Sequence, residues 1–462
     1  MVAVGSVVGN RVVVLGGSIT ALFAASALSE GYREVVLVDR DELIDVWEAR
    51  RGAPQGRHIN GLIARGARAM EDLFPEITAE MVAAGCPLTD LAGTVKWYIN
   101  GRPLAQTRAG LTCVAARRPV MEAHVRRRIA ALGNVTFMER TDITGLVFSP
   151  DKSRVIGARV QRQGEGNQEE TLTADLIVDA TGRGSRTPVW LEAQGYPRVA
   201  EEGTKIGLAY ATRHYKLRHD PFGTSHSIIS VANPVNPRGA IFTKSDGNRV
   251  ELTTYGIMGD HPPTDLEGFN QFVKSLSAPE IYEGISDAEP LDDPVLFKFP
   301  TTLRRRYELM SRFPDGLLVI GDAVCTPNPV FAQAQTLAAL QALALRDLLR
   351  TGQAPKAKEF MRTVGRIIDP AWEMTEAINL SFPDVEGKRT PKVQVLLGYM
   401  KRLHLAATKD ASLTEAFMRS AGLVDPLEAL LRPSVVWRVL RHSHAEMPLI
   451  NGRYLPLIGG RS

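Results

Sequence analysis

The sequence predicts an α/β protein: a β-turn-α-β core interrupted by a β-rich insertion and followed by a helical region. Three observations carry that expectation. Val12-Val13-Val14-Leu15 is an unbroken β-branched and aliphatic run entering Gly16-Gly17-Ser18, the pattern of a parallel strand buried on both faces that ends in a tight turn. Residues 205–260 alternate apolar and polar positions between turn signals, as in a mostly antiparallel sheet with one wet face. From residue 333 onward the spacing is helical.

Taken in order, residues 19–28 are rich in Ala and Leu and read as a helix, and Gly31 suits its stop. Residues 34–38 form the next strand, which ends on Asp39. Further strands are expected at 135–138, 143–148, 155–162 and 175–179, and a buried one at 317–320 entering Gly321-Asp322. Residues 333–349 read as a long helix, and beyond Ala354 helices are punctuated by Pro370, Pro383, Pro391 and Pro426. The expected domains are residues 1–200 joined with 300–353, then 201–299 as the β-rich unit, and 354–462 as the helical unit.

The 462 residues amount to about three domains at roughly 150 residues each. Such a chain buries a core without disulfides or metal. With 44% hydrophobic and 23% charged residues, a disordered, collagen-like or disulfide-scaffold protein is excluded. A net charge of +4 is too small to imply nucleic acid. The triplets Arg126–Arg128 and Arg304–Arg306 read as solvated edges. Cys86, Cys113 and Cys325 lie far apart with no metal-ligand spacing, so no metal is expected, and a reducing, cytoplasmic location is. Residues 12–28 loosely mimic a secretory core, but Gly16-Gly17 interrupts them. No other stretch reaches the ~18 apolar residues of a membrane helix, so no membrane partner is expected.

Four segments carry chemistry. Gly16-Gly17-Ser18-Ile19-Thr20-Ala21 follows a strand. A turn without bulky side chains lets a pyrophosphate approach the N–H groups and positive dipole of a helix N-terminus. Asp39 follows at about the 20-residue spacing of an acid that holds a ribose hydroxyl, although Ser18 and Ala21 stand where the fingerprint has glycines. The second segment, Arg50-Arg51-Gly52-Ala53-Pro54-Gln55-Gly56-Arg57-His58, sets arginine forks around a Gly/Pro loop, suited to phosphate and to a flat ligand. His58 reads as a hydrogen-bonded structural histidine. In the third, Asp179-Ala180-Thr181-Gly182-Arg183-Gly184-Ser185, a buried strand runs into a glycine-rich turn. In the fourth, Gly321-Asp322-Ala323 puts a carboxylate at the carboxyl end of a buried strand, where open α/β sheets bind ligands. The segment after it, Asn328-Pro329-Val330-Phe331, leads into a helix N-terminus.

In this order and spacing the four segments resemble the flavoprotein monooxygenases of the para-hydroxybenzoate hydroxylase type, and within them a branch of actinomycete polyketide pathways. The resemblance covers residues 12–349. It implies a Rossmann-like FAD-binding domain interrupted by a β-rich substrate domain, with a helical C-terminal region. It implies FAD as cofactor, with Gly16, Gly17, Ser18, Ile19 and Thr20 cradling the pyrophosphate. Asp39 would hold the adenosine ribose beside Arg40, and Arg51 would reach the phosphates. Gly52 and Ala53 would lie along the flavin, Arg118 near the ribitol or phosphates, and Asp322 on the ribitol. The implied ligand is a large hydrophobic small molecule; Trp97, Tyr98, Tyr210 and Phe331 are candidates for its pocket, beside a bland reading as core. No catalytic residue is assigned.

The chain departs from the branch at two places. Phe331-Ala332-Gln333-Ala334-Gln335 replaces Tyr-Gly-Gln-Gly-Met, and Asn60 replaces the second histidine of the arginine loop. The altered loop passes the pyrimidine edge of the flavin in the family. Oxygen chemistry depends on placement there, where about 1 Å can cost on the order of a hundredfold. The resemblance extends to flavin-dependent [4+2] cyclases that form the dialkyldecalin of spirotetramate and spirotetronate polyketides, as in pyrroindomycin biosynthesis. The two alanines favour that cyclase reading, with FAD as a structural cofactor. The alternatives are an FAD/NADPH-dependent monooxygenase and a non-catalytic flavoprotein that binds a hydrophobic metabolite.

Overall fold

The computed structural model describes residues 7–164, 168–246 and 249–442. Strand β1 (Gly9–Leu15), helix α1 (Ile19–Ser29) and strand β2 (Tyr32–Val38) form the expected core. A five-stranded parallel sheet places Leu317–Val319, Leu176–Asp179, β1, β2 and Val135–Met138 side by side. Val12 to Leu15 are fully buried because α1 covers one face of the sheet and other elements cover the second. α1 is in turn packed on helix Ala334–Leu349, so every residue from Ala21 to Ala25 is inaccessible.

The insertion is an eight-stranded sheet built round Lys205–Lys216, Ser227–Ser230, Arg238–Lys244 and Val250–Gly256. Strands Val95–Ile99 and Arg102–Pro103 extend it, so it draws on residues outside the expected 201–299 segment. One face carries Ala211, Phe242 and Leu252 against helices Leu266–Lys274 and Pro279–Ile285. The other face was expected to be wet and is not: every residue of Val250–Gly256 is buried. Its polar alternation, including Thr212 and Thr253, serves an internal contact with the loop around His58.

Two further expectations are corrected. Pro370 does not end a helix but lies inside Ala357–Asn379. Buried Phe360, Val364 and Ile368 before it and Ala371 and Trp372 after it hold the helix together, outweighing a cost of about 3 kcal/mol. The arginine triplets are solvated edges only in part: Arg127 is exposed and Arg128 and Arg306 half-buried, but Arg126, Arg304 and Arg305 are buried. Arg304 is held by Glu308, Asp369 at 2.6 Å and the Gly365 carbonyl. The C-terminal helices Pro391–Ala407, Ala411–Ala421 and Pro433–His442 pack on Ile99, Leu104 and Leu111. Among the described residues no helix is long and apolar enough to cross a membrane.

Candidate functional site

The turn after β1 fits only small residues. Gly16 has φ +107°, and a Cβ there would lie 2.7 Å from the Ala180 carbonyl oxygen, so a side chain is excluded by conformation and by space. Ser18 precedes α1 in extended conformation and provides no side-chain cap. Instead the Ile19 N–H donates to Glu122 Oε1 at 3.2 Å. Glu122 comes from helix Arg118–Ala130 and is held by Arg118 Nε at 2.9 Å, Arg50 at 3.3 Å and Arg126 at 3.6 Å. Burial pushes its carboxyl up, but Arg118 and Arg50 outweigh this and hold it below the usual range. Arg50 also bonds Asp41 at 3.0 Å and stands 3.5 Å from Asp39. Asp39 accepts from the Asp41 N–H at 2.8 Å, and burial keeps its carboxyl above the usual range.

Across this turn lies a second carboxylate in the opposite condition. Gly321, at φ +62°, packs so closely on Thr20 of α1 that a Cβ would come within 2.5 Å of it. That contact sets Asp322 beside α1, and its Cβ is 4.0 Å from where a side chain on Gly182 would begin. Among the described residues no group hydrogen-bonds the Asp322 carboxylate. Burial raises its pKa, and Arg118 and Arg183 offset this only in part. Arg183 lies over the Phe299 ring at 5.0 Å, and its Nη1 is buried without a partner. Tyr210 feels the same two charged groups, Arg118 and Asp322, and burial raises its hydroxyl pKa. Its hydroxyl makes no hydrogen bond to a described residue.

The glycine-rich turn between these carboxylates has its own brace. Asp179 accepts from the Thr181 N–H at 2.9 Å, the Thr181 hydroxyl at 2.6 Å and the Thr187 hydroxyl at 2.6 Å. It thereby freezes the loop that carries Gly182 and Arg183. On the far side, Ala332 takes the left-handed conformation, φ +53°. Its methyl lies 2.8 Å from the position a Cβ on Gly61 would take, so the absent side chain of Gly61 makes room for it. Helix Ala334–Leu349 starts just beyond, and Gln333 Nε2 and Thr336 Oγ1 are buried there without partners.

The structure thus brings together Gly16, Gly17, Ser18, Ile19, Thr20, Asp39, Arg118 and Asp322. Arg40 and Arg51 are exposed, and the buried arginine of that loop is Arg50. Gly52 donates to Asp41 at 2.8 Å, and Ala53 is buried. Trp97 and Tyr98 lie elsewhere. Trp97 donates to the Leu91 carbonyl at 2.7 Å beneath the C-terminal helices, and Tyr98 donates to Glu280 at 2.6 Å. Tyr210 does reach the site, and Phe331 flanks Ala332. Sequence reasoning passed over Glu122, although it sits four residues from both Arg118 and Arg126, a spacing that stacks charges on one helix face. It also passed over Arg183, inside a segment singled out only for its glycines.

No family model matches the chain. It is 33% identical over 452 residues to protein Rv3254 of Mycobacterium tuberculosis, covering 94% of each. The chain belongs to the Rv3254 family. Among solved structures, this Rv3254 relative is similar to a flavoprotein/dehydrogenase from Cytophaga hutchinsonii, with TM-score 0.63, 14% identity and coverage of 94% of this chain and 98% of that one. It is also similar to the flavin-dependent brominase Bmp2, with TM-score 0.60, 14% identity and coverage of 94% and 93%. PqsL, a probable FAD-dependent monooxygenase from Pseudomonas aeruginosa, gives TM-score 0.56, 17% identity and coverage of 88% and 98%. At these identities the likeness establishes the fold, that of flavin-dependent monooxygenases and halogenases.

Proposed function

We propose that this Rv3254-family protein is an FAD-dependent monooxygenase acting on a large apolar small molecule. The observation that carries the reading is the Asp322 carboxylate, set between the α1 turn and Gly182 with no hydrogen bond from a described residue, beside the orphaned Arg183 Nη1. Arg183 Nη1 is a buried cationic donor left unpaired, at a cost of about 1–3 kcal/mol, and the half-buried Asp322 carboxylate beside it has acceptor capacity that no described residue uses. FAD offers what they lack, ribitol hydroxyls for Asp322 and phosphate for an arginine. Arg118 would close the same site from helix Arg118–Ala130, with Gly16 to Thr20 as its floor and Asp39 toward the adenosine. Bound FAD would supply the redox chemistry, accepting a hydride from NADPH and passing electrons to dioxygen.

The oxidative reading is favoured over the cyclase expectation by the Ala332 methyl. That methyl is taken up against Gly61, and the start of helix Ala334–Leu349 is kept, with its positive dipole end available to negative charge. A second reading, a [4+2] cyclase with FAD as a rigid wall, keeps one argument. Ala332 holds a left-handed conformation at a cost of roughly 1 kcal/mol that a glycine would not incur. Adding NADPH to the holoprotein under air separates the two. Bleaching of the visible flavin band with continued NADPH consumption supports the monooxygenase. An unreduced flavin, with a polyene converted in the absence of oxygen, supports the cyclase.

A further inference from the structure

His58 ends the arginine loop and is 4% exposed. Its Nδ1 lies 2.9 Å from Thr212 Oγ1, and Thr212 Oγ1 lies 2.6 Å from Thr253 Oγ1. The Ile59 N–H donates to Thr253 Oγ1 at 3.4 Å. Each hydroxyl has one proton to give and two lone pairs, so a ring proton on Nδ1 leaves one hydroxyl proton without an acceptor among the described residues, that of Thr212 if Thr212 also accepts from Thr253. If Nδ1 donated to Thr212 and Thr212 to Thr253, the Thr253 proton would have no acceptor among the described residues. In the other direction every proton has a place. Ile59 N–H donates to Thr253, Thr253 to Thr212, and Thr212 to Nδ1. The ring proton then sits on Nε2, which no described residue accepts. The same ring stands edge-on to Tyr210, with centroids 4.7 Å apart, and 5.7 Å from Phe297. Tyr210 is the side chain that reaches toward Asp322 and Arg118, and partly buried Val330 and Leu380 belong to its apolar cluster.

We propose that His58 is a neutral hydrogen-bond donor that binds a carbonyl oxygen of an otherwise apolar substrate, with Thr212 and Thr253 as positioning residues that fix its tautomer. The proposal rests on the flavoenzyme reading above and names a substrate class for that site. Burial, with Arg57 and His214 adding to it, lowers the His58 pKa to about 4, so the ring stays uncharged at neutral pH and favours a neutral acceptor over a carboxylate. Tyr210 and Phe297 supply the apolar wall along which the rest of such a molecule lies.

The test uses holoprotein and two probes of equal length, 2-undecanone and 1-undecene, titrated against the visible flavin spectrum. The wild type is expected to bind the ketone about fivefold more tightly than the alkene, as one neutral hydrogen bond allows. His58→Phe should abolish the preference, and His58→Gln, which keeps an N–H donor, should retain most of it. Thr212→Val should reduce it. Nitrogen-15 spectra of the histidine rings, assigned by loss of a signal in His58→Gln, should show Nε2 protonated in the wild type and a tautomer mixture in Thr212→Val. A protonated Nδ1 in the wild type, an unchanged ketone preference in His58→Phe, or no ketone preference in the wild type overturns the proposal. A protein that takes up no flavin fails at the earlier step and is recognised as such before any probe is added.

Discussion

Glu122 is a buried carboxylate and Asp322 a half-buried one on either side of one helix terminus, and they are treated in opposite ways. Glu122 is met by the Ile19 N–H and three arginines and is held below its ordinary pKa. Asp322 has two arginines within electrostatic reach, no hydrogen bond from a described residue, and a raised pKa. The first cluster is complete in the protein alone and works for stability, since a buried charge with its partners in place is costly to disturb. The second is left open by the described residues, and in the proposed reading FAD completes it. In that reading the contrast separates the residues that build the turn from those that would hold the cofactor, a distinction that a list of charged residues near a glycine motif does not make.

Breaking the complete cluster is expected to have the largest effect. Glu122→Gln leaves Arg50, Arg118 and Arg126 around an uncharged side chain and should cost about 3–5 kcal/mol in urea unfolding without added flavin. A loss below about 1 kcal/mol would show that the arginines find water instead. Acidification gives the next effect. His58 is lowered to about 4 in the folded protein against roughly 6.5 unfolded. The unfolded chain therefore binds the extra proton between those values, and stability falls as pH drops from 6.5 toward 4. The contribution is about 3 kcal/mol, and His58→Gln should flatten this part of the stability–pH curve.

Asp322→Asn sharpens the comparison from the other side. The folded pKa of Asp322 is raised, so the charged form is a burden on the empty protein at neutral pH, and stability falls as pH rises from the unfolded value through the folded one. Without flavin the variant should therefore unfold no more easily than the wild type. With FAD present it should gain about 1–3 kcal/mol less from the ligand, seen as a smaller rise in melting temperature. A variant destabilised without flavin would place Asp322 among the structural carboxylates with Glu122. The smallest effect is expected at Ala332. Relief of its φ +53° by Ala332→Gly should raise stability by less than about 1 kcal/mol, since glycine also loses more entropy on folding.

Much of this was legible from residue order. The run Val12 to Leu15, the turn at Gly16, the strand ending on Asp39 and the strand entering Asp322 all stand where pattern and turn chemistry put them. What was not legible depends on partners distant in sequence. Arg50 and Arg51 are neighbours of one type, and only the packing of helix Arg118–Ala130 decides which turns inward. His58 read correctly as hydrogen-bonded, but its partners Thr212 and Thr253 lie 154 and more residues away on a sheet. The polar alternation on that sheet looks in sequence like a solvent face and is instead an internal one. Trp97 and Tyr98 qualified as pocket residues by type alone, and their hydrogen bonds to Leu91 and Glu280 fix them elsewhere.

The account stands most directly on flavin content. Apoprotein and its Asp322→Asn variant should be titrated with FAD, following quenching of flavin fluorescence, after both have been shown to be equally folded. The expected result is one FAD bound per wild-type chain and an affinity on the order of tenfold to a hundredfold weaker in the variant, the equivalent of about 1–3 kcal/mol. Equal affinity in the two proteins, or no binding to the folded wild type, would contradict it.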